Sequence, residues 1–265
     1  MSKYKRVRPP LPGGSGGVSN RKTIIENTLF IKPNINKKDI LTPQYIEFSN
    51  DQKQIAIKLL DNNAIVNSVA GSGKTTTCLC ISEVHKDKNI LFLTYNKRLK
   101  IDTKIKLENC KNTEVHTFHS FCYHYYGNKG KDDEELKSAL SYQGNIFHYD
   151  IIIIDEVQDC TLLYFKLIVK ILKENISVPP SKICILGDKK QSIYTFNGAD
   201  SRFIQYANVL LNWYNNYDWI RQSLFLSFRI TKPMAYFINN CLFNDVIITS
   251  DNNGENIKYC ICNAF

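Results

Sequence analysis

A chain of 265 residues has room for about two domains and for a full hydrophobic core in the first. With 43% hydrophobic and 22% charged residues it reads as an ordinary globular protein, which argues against disorder over most of its length. No apolar run approaches a membrane span and no signal-peptide core opens the chain, so a membrane or exported protein is not expected. We expect an intracellular protein of the cytoplasm or nucleus. The formal net charge of +9 suits a polyanionic partner. The nine cysteines form no C-x-x-C pair, and neither they nor the five histidines show a metal-ligand spacing.

In chain order, residues 1–20 carry Lys3, Lys5, Arg6 and Arg8 followed by prolines and glycines, and are expected to be a disordered basic tail. Residues 21–47 are a polar lead-in. Residues 48–60 open on the cap signal Ser49-Asn50-Asp51 and then show helical spacing of apolar residues, with Gln52 in the first turn. Alternating units follow: strand 64–68, helix 74–85, strand 89–95, helix 97–107, strand 113–117 and helix 119–126. After a hydrophilic interval at 128–143 come strand 149–154, helix 157–172, strand 182–187, helix 199–214 and strand 223–226. A helix over 231–242 and a strand over 256–262 complete the chain. Apolar strands alternating with helices predict an α/β fold whose parallel sheet is covered by helices on both faces.

Three stretches carry chemistry. The first joins the apolar run Ala64–Ser68 to Ala70-Gly71-Ser72-Gly73-Lys74-Thr75-Thr76, a strand, a loop and a helix start. Glycines there allow backbone N–H groups to turn toward a phosphate and the helix N-terminus adds partial positive charge. Lys74 reaches the β- and γ-phosphates and Thr75 offers a hydroxyl to Mg²⁺. Ser68 stands where the general phosphate-loop pattern has its first glycine. In the second stretch four isoleucines, 151–154, end in Asp155-Glu156-Val157-Gln158-Asp159. Ligands of such sheets bind at the carboxyl ends of strands, so Asp155 is placed to hold Mg²⁺ and Glu156 to orient and deprotonate a water. In the third, strand 182–187 runs into Gly187-Asp188 and Gln191, a neutral amide suited to reading a γ-phosphate. Tyr194 and Phe196 follow and either pack in the core or stack on bases.

Taken together, AGSGKTTT, LTYNKR (93–98), HTFHSFC (116–122), DEVQD, GDKKQSIYTFNGAD and LSFR (226–229) resemble, in order, the motifs of UvrD/Rep-type superfamily 1 DNA helicases, with wording nearest the F-box DNA helicase branch. The resemblance runs from about residue 48 to the end. It implies a RecA-like P-loop NTPase domain over 48–222 and the start of a second RecA-like domain over 223–265. It also implies ATP and Mg²⁺ as cofactors, single-stranded DNA or another nucleic acid as partner, and hydrolysis of ATP coupled to movement along DNA. By position it assigns Gln52 to adenine, Ala70–Thr76 to the phosphates, and Thr75 and Asp155 to the metal. Lys74, Asp155, Glu156, Gln191 and Arg229 become the catalytic set, and Phe228 the aromatic against adenine. Thr76 occupies the place of the arginine expected on adenine's other face. Tyr95, Asn96, Thr117, Phe118, His119, Tyr194 and Phe196 fall in segments lining the DNA path. The helical insertion common between the third and fourth motifs is minimal here, and the later motifs of the second motor domain are missing, which suggests a further chain supplying them. A non-catalytic, nucleic-acid-binding remnant of a helicase, or a P-loop ATPase acting on another substrate, are the alternatives.

Overall fold

In a computed structural model, the described residues are 30–31, 46–127, 129–191 and 198–258. The expectations for residues 1–20, for most of the lead-in, for Tyr194 and Phe196 and for most of the strand at 256–262 lie outside them. A two-residue antiparallel pair joins β1 (Phe30–Ile31) to β2 (Ile46–Glu47). Six parallel strands follow: β3 (Asn63–Ser68), β4 (Ile90–Thr94), β5 (Thr113–Thr117), β6 (Ile151–Ile154), β7 (Lys182–Gly187) and β8 (Trp219–Leu224). They lie side by side in the order β5-β4-β6-β7-β3-β8. The fold is α/β, a parallel sheet covered by helices on both faces, as expected.

Side-chain alternation along the strands separates two cores. Ile65, Leu91, Leu93, Ile152, Ile154, Ile183 and Ile185 face one side. There they meet α4 (Phe118–Tyr125), α5 (Asp133–Ala139) and α6 (Leu162–Glu174), and the short α7 (Arg202–Gln205) and α8 (Ala207–Leu210). Ala64, Val66, Ile90, Phe92, Ile153, Cys184 and Leu186 face the other side, against α1 (Asn50–Lys58), α2 (Lys74–Val84) and Leu107, which caps α3 (Lys97–Lys106). Strands buried on both faces need the near-continuous apolar runs seen in the sequence. Asn63 fixes the start of β3: its side-chain oxygen accepts from the Ile183 N–H at 2.9 Å and its amide donates to Asn215 at 2.8 Å.

Several elements differ from the sequence expectation. The run 157–172 is not one helix: a 3₁₀ turn spans Val157–Asp159, the backbone turns out at Cys160, and α6 starts afresh with Thr161 as its N-cap. The interval 128–143 holds α5, capped by the Asp132 carboxylate and carrying three acids in its first turn, as a helix dipole favours. The helix at 199–214 is two short pieces, α7 and α8. The helix at 231–242 is α9 (Lys232–Phe237) continued by a π turn, Ile238–Phe243. The strand placed at 223–226 is β8, which begins at Trp219 and pairs with β3 from Asn63↔Trp219 to Ser68↔Leu224, so it crosses the expected boundary at 222/223 and closes the first sheet. Beyond it, Val69, Ile230, Ala235 and Ile248 form a small third core on the loop after β3. No strand is present at 256–258. Among the described residues no helix is long and apolar enough to cross a membrane.

Candidate nucleotide site

Because β3, β6 and β7 are parallel and neighbours in the order β6-β7-β3, their carboxyl ends deliver the glycine loop, the acid run and Gln191 to one edge of the sheet. A cleft of 540 Å³ lies there, lined by residues 69–76, Asp155, Glu156, Gln191, Phe228 and Arg229, together with Leu99 and Lys106 from α3.

Gly73 is the N-cap of α2 and is left-handed at φ 82, so the loop delivers Lys74 at the first helical position. The Lys74 ammonium lies 3.0 Å from Glu156 Oε1 and 3.1 Å from Oε2. Burial alone would lower its pKa, but the charges of Asp155 and Glu156 outweigh this and the net shift is upward, keeping it a cation. Asp155 is 1% exposed. Its Oδ1 accepts from the Glu156 N–H at 2.9 Å, while Oδ2 is buried with no hydrogen-bond partner among the described residues. Burial first, then the charge of Glu156, raises its pKa well above the ordinary carboxylate range. An uncompensated buried carboxylate oxygen beside a phosphate loop is what a divalent cation would relieve, so the residues present fit Mg²⁺, and Thr75 lines the same cleft.

Glu156 adopts a left-handed backbone, φ 56 and ψ 39, that few non-glycine residues take. The turn aims its carboxylate back at Lys74, and Gln158 Nε2 donates to its Oε2 at 2.7 Å. Gln191 belongs to a 3₁₀ turn after β7, and its side-chain amide donates to Asp188 Oδ2 at 2.8 Å. Burial, with Glu156 nearby, pushes the Asp159 carboxyl up to about 6.

The segment after β8 packs directly onto the loop. Ser227 Oγ donates to the Ala70 carbonyl at 2.7 Å, and the Phe228 N–H donates to the Gly71 carbonyl at 2.9 Å. A side chain at Gly71 would place its Cβ 2.5 Å from Arg229 Cβ, so glycine is what permits this approach. Phe228 and Arg229 are thereby exposed at the cleft mouth.

Gln52 packs against the phosphate loop. It is 1% exposed and lies outside the cleft lining; its oxygen accepts from the Ser49 N–H in a capping box and its amide donates to the Gly73 carbonyl at 3.3 Å. It braces the phosphate loop, and these two bonds use one of its two amide hydrogens and one of its two oxygen lone pairs.

The described residues among those expected on the DNA path each have partners within the fold. Tyr95 packs between Phe118 and Tyr164, with ring centroids 4.9 Å from each. Phe118 is fully buried and has no ring face to offer a base. Asn96 caps α3 by accepting from the Arg98 and Leu99 N–H groups, and Thr117 caps α4 in a capping box with Ser120. His119 is half-buried, its Nε2 3.3 Å from Asp133 Oδ1. The sequence reading gave no role to Leu99, Lys106 or Gln158. The first two reach the cleft only through the packing of α3 beside α2, which has no local sequence signal.

No curated protein matches the chain. Among solved structures, one of two coordinating Pif1 helicases unwinding forked double-stranded DNA is 16% identical, with a TM-score of 0.45 over 74% of this chain and 48% of that one. Pif1 helicase from Candida albicans is 19% identical (TM-score 0.42; 68% and 40% of the two chains), and the arterivirus nonstructural protein 10 helicase is 12% identical (0.43; 80% and 46%). The chain thus spans less than half the length of each. Residues 52–197 match the family model described as AAA domain, a span that holds the glycine loop, the acid run and Gln191 and exceeds half of the sequence, and the chain belongs to that family.

Proposed function

We propose that this chain is the ATP-binding domain of a UvrD/Rep-type helicase motor, which hydrolyses ATP with Mg²⁺ and couples turnover to single-stranded DNA. One observation carries the reading: Lys74 and the two acids Asp155 and Glu156 converge in one cleft, with the Lys74–Glu156 contact at 3.0 Å. Lys74 exchanges Glu156 for the terminal phosphates of ATP, and the released Glu156 carboxylate takes a proton from water as it attacks the γ-phosphorus, whose bond to the bridging oxygen breaks to release ADP. Thr75 and Asp155 would hold Mg²⁺, which would supply charge neutralisation to the phosphates. Arg229 offsets charge on the transferring phosphoryl group, and Phe228 supplies an apolar face for the base. Ala70–Thr76 donate backbone N–H groups.

Among the described residues, the nucleic-acid half of the reading is supported by charge rather than by aromatic platforms. On α3, Lys97, Arg98, Lys104 and Lys106 are exposed, against one acid, Asp102. Such a helix binds phosphates through counterion release, so affinity falls steeply with salt. The test is ATP turnover and nucleotide binding by the full chain, with and without single-stranded DNA, beside Lys74→Ala. We expect DNA-stimulated turnover in the parent and loss of nucleotide affinity in the variant. Nucleotide affinity unchanged by Lys74→Ala refutes the site, binding without turnover supports the non-catalytic remnant, and turnover indifferent to DNA supports an ATPase of another kind.

A further inference from the structure

Gln158 is 2% exposed, yet its side chain spans two of the strand ends that build the cleft. Its Nε2 donates to Glu156 Oε2 at 2.7 Å and its Oε1 accepts from the Asp188 N–H at 3.1 Å. Asp188 in turn accepts from the Gln191 side-chain amide at 2.8 Å, and its carbonyl accepts from the Gln191 N–H at 2.9 Å. At the other end Glu156 holds Lys74. An unbroken chain of contacts therefore runs Lys74, Glu156, Gln158, Asp188, Gln191, from the phosphate loop to the far wall of the same cleft.

The fold makes room for it. β7 ends in Gly187, where a Cβ would stand 2.5 Å from Gln158 Oε1; the missing side chain is the slot the amide occupies. The chemistry is specific to an amide as well. Position 158 must donate to a carboxylate at one end and accept from a backbone N–H at the other. A carboxylate there would repel Glu156, and a thioether of the same length offers Glu156 no donor.

We infer that Gln158 is a positioning residue, which fixes the Glu156 carboxylate and ties its orientation, through Asp188, to that of Gln191. This rests on the ATPase reading above. A nucleotide that draws the Gln191 amide away from Asp188 then alters the anchor of Gln158 and, with it, the aim of Glu156. A triphosphate and a diphosphate are distinguished at one end of the chain and the difference is felt at the other.

Two measurements on the full chain test this. In the first, side-chain amide resonances of ¹⁵N-labelled protein are compared between the parent and Gln158→Met without nucleotide. The Gln191 amide signal is expected to shift although the substituted side chain does not touch it; an unmoved signal overturns the inference whether or not the protein hydrolyses ATP. In the second, steady-state turnover and fluorescent-nucleotide binding are measured for the parent, Gln158→Met, Gln191→Ala and the double variant. We expect kcat to fall about 10²-fold in Gln158→Met, as for a misplaced catalytic group, with ADP affinity within about twofold of the parent. We also expect non-additive losses in the double variant. Additive losses, or an unchanged kcat in a parent that does turn over ATP, overturn it. A parent without turnover fails the ATPase reading instead and leaves the resonance result to decide. If Gln158→Met does not fold, the isosteric Gln158→Glu carries the same comparisons.

Discussion

Gly71→Ala is the perturbation whose magnitude follows most directly from the structure. Gly71 is left-handed at φ +72, and the added Cβ would fall 2.5 Å from Arg229 Cβ and 2.9 Å from Ser227 Oγ. The backbone conformation costs an L-residue about 1–2 kcal/mol. Forcing the facing segment aside costs about 1–3 kcal/mol more, because Arg229 Cβ belongs to the main-chain end of its residue and cannot swing away. The stiffer unfolded chain returns about 0.4–1 kcal/mol. The net loss is roughly 1–5 kcal/mol, centred near 3, or a fall in Tm on the order of 10 °C for a domain of this size. Urea unfolding followed by far-UV circular dichroism reads it. Gly198→Ala is the internal control: Gly198 is also left-handed, at φ +81, but nothing among the described residues lies within 4 Å of its added Cβ. It should lose about 1 kcal/mol or less, the conformational cost alone. Equal losses in the two variants would refute the contact between the loop and the segment at 227–229.

Ser227→Ala removes the 2.7 Å donor to the Ala70 carbonyl from a residue that is 1% exposed, and should cost about 1–3 kcal/mol in the same assay; a loss under about 0.5 kcal/mol contradicts the bond. Glu156→Gln keeps the shape but not the base, so ATP turnover should fall by about 10²–10⁴-fold while nucleotide still binds. Loss of nucleotide binding there would mean that Glu156 shapes the site rather than acting in it. Glu114→Gln tests an acid-stability effect. The His116 imidazole and the Tyr149 and Tyr125 hydroxyls overcome burial and lower the Glu114 pKa from 4.5 to about 2. A folded pKa below the unfolded one gives stability that is present above 4.5 and lost as pH falls toward about 2. The variant should therefore flatten the fall in unfolding free energy across that window at low ionic strength, with a small amplitude because the side chain is half-exposed. An unchanged slope contradicts it.

The parts legible in the sequence were those fixed by local rules. The glycines before Lys74, the four isoleucines before Asp155 and the apolar run 182–187 each announce a buried strand ending in chemistry, and the sheet brings their ends together. Less legible were positions decided by a partner far along the chain. The resemblance placed Tyr95 and Phe118 in segments lining the DNA path, and only the meeting of β4, α4 and α6 packs their rings together. The break at 157–161 depends on the left-handed Glu156, which is held by Lys74 and Gln158, although the Thr161 cap was readable in principle. Gln52 stood in the right helix turn, but whether its amide faces a base or the Gly73 carbonyl depends on how α1 packs against α2. For β8, local apolarity pointed to residues 223–226, whereas the ladder with β3 extends the strand back over half-exposed residues from Trp219.

The position of β3 between β7 and β8 also bears on synthesis. Its two hydrogen-bonded neighbours are residues 182–187 and 219–224, more than a hundred positions later in the sequence. A ribosome must therefore release most of the chain before the strand that presents Lys74 is flanked on both sides. Until then its apolar edges stay open to wrong partners, as is general for parallel pairings of high sequence separation. Late completion of that part of the sheet follows from the topology, and a pulse-labelled nascent chain should gain protease resistance around Lys74 only after Leu224 has left the exit tunnel.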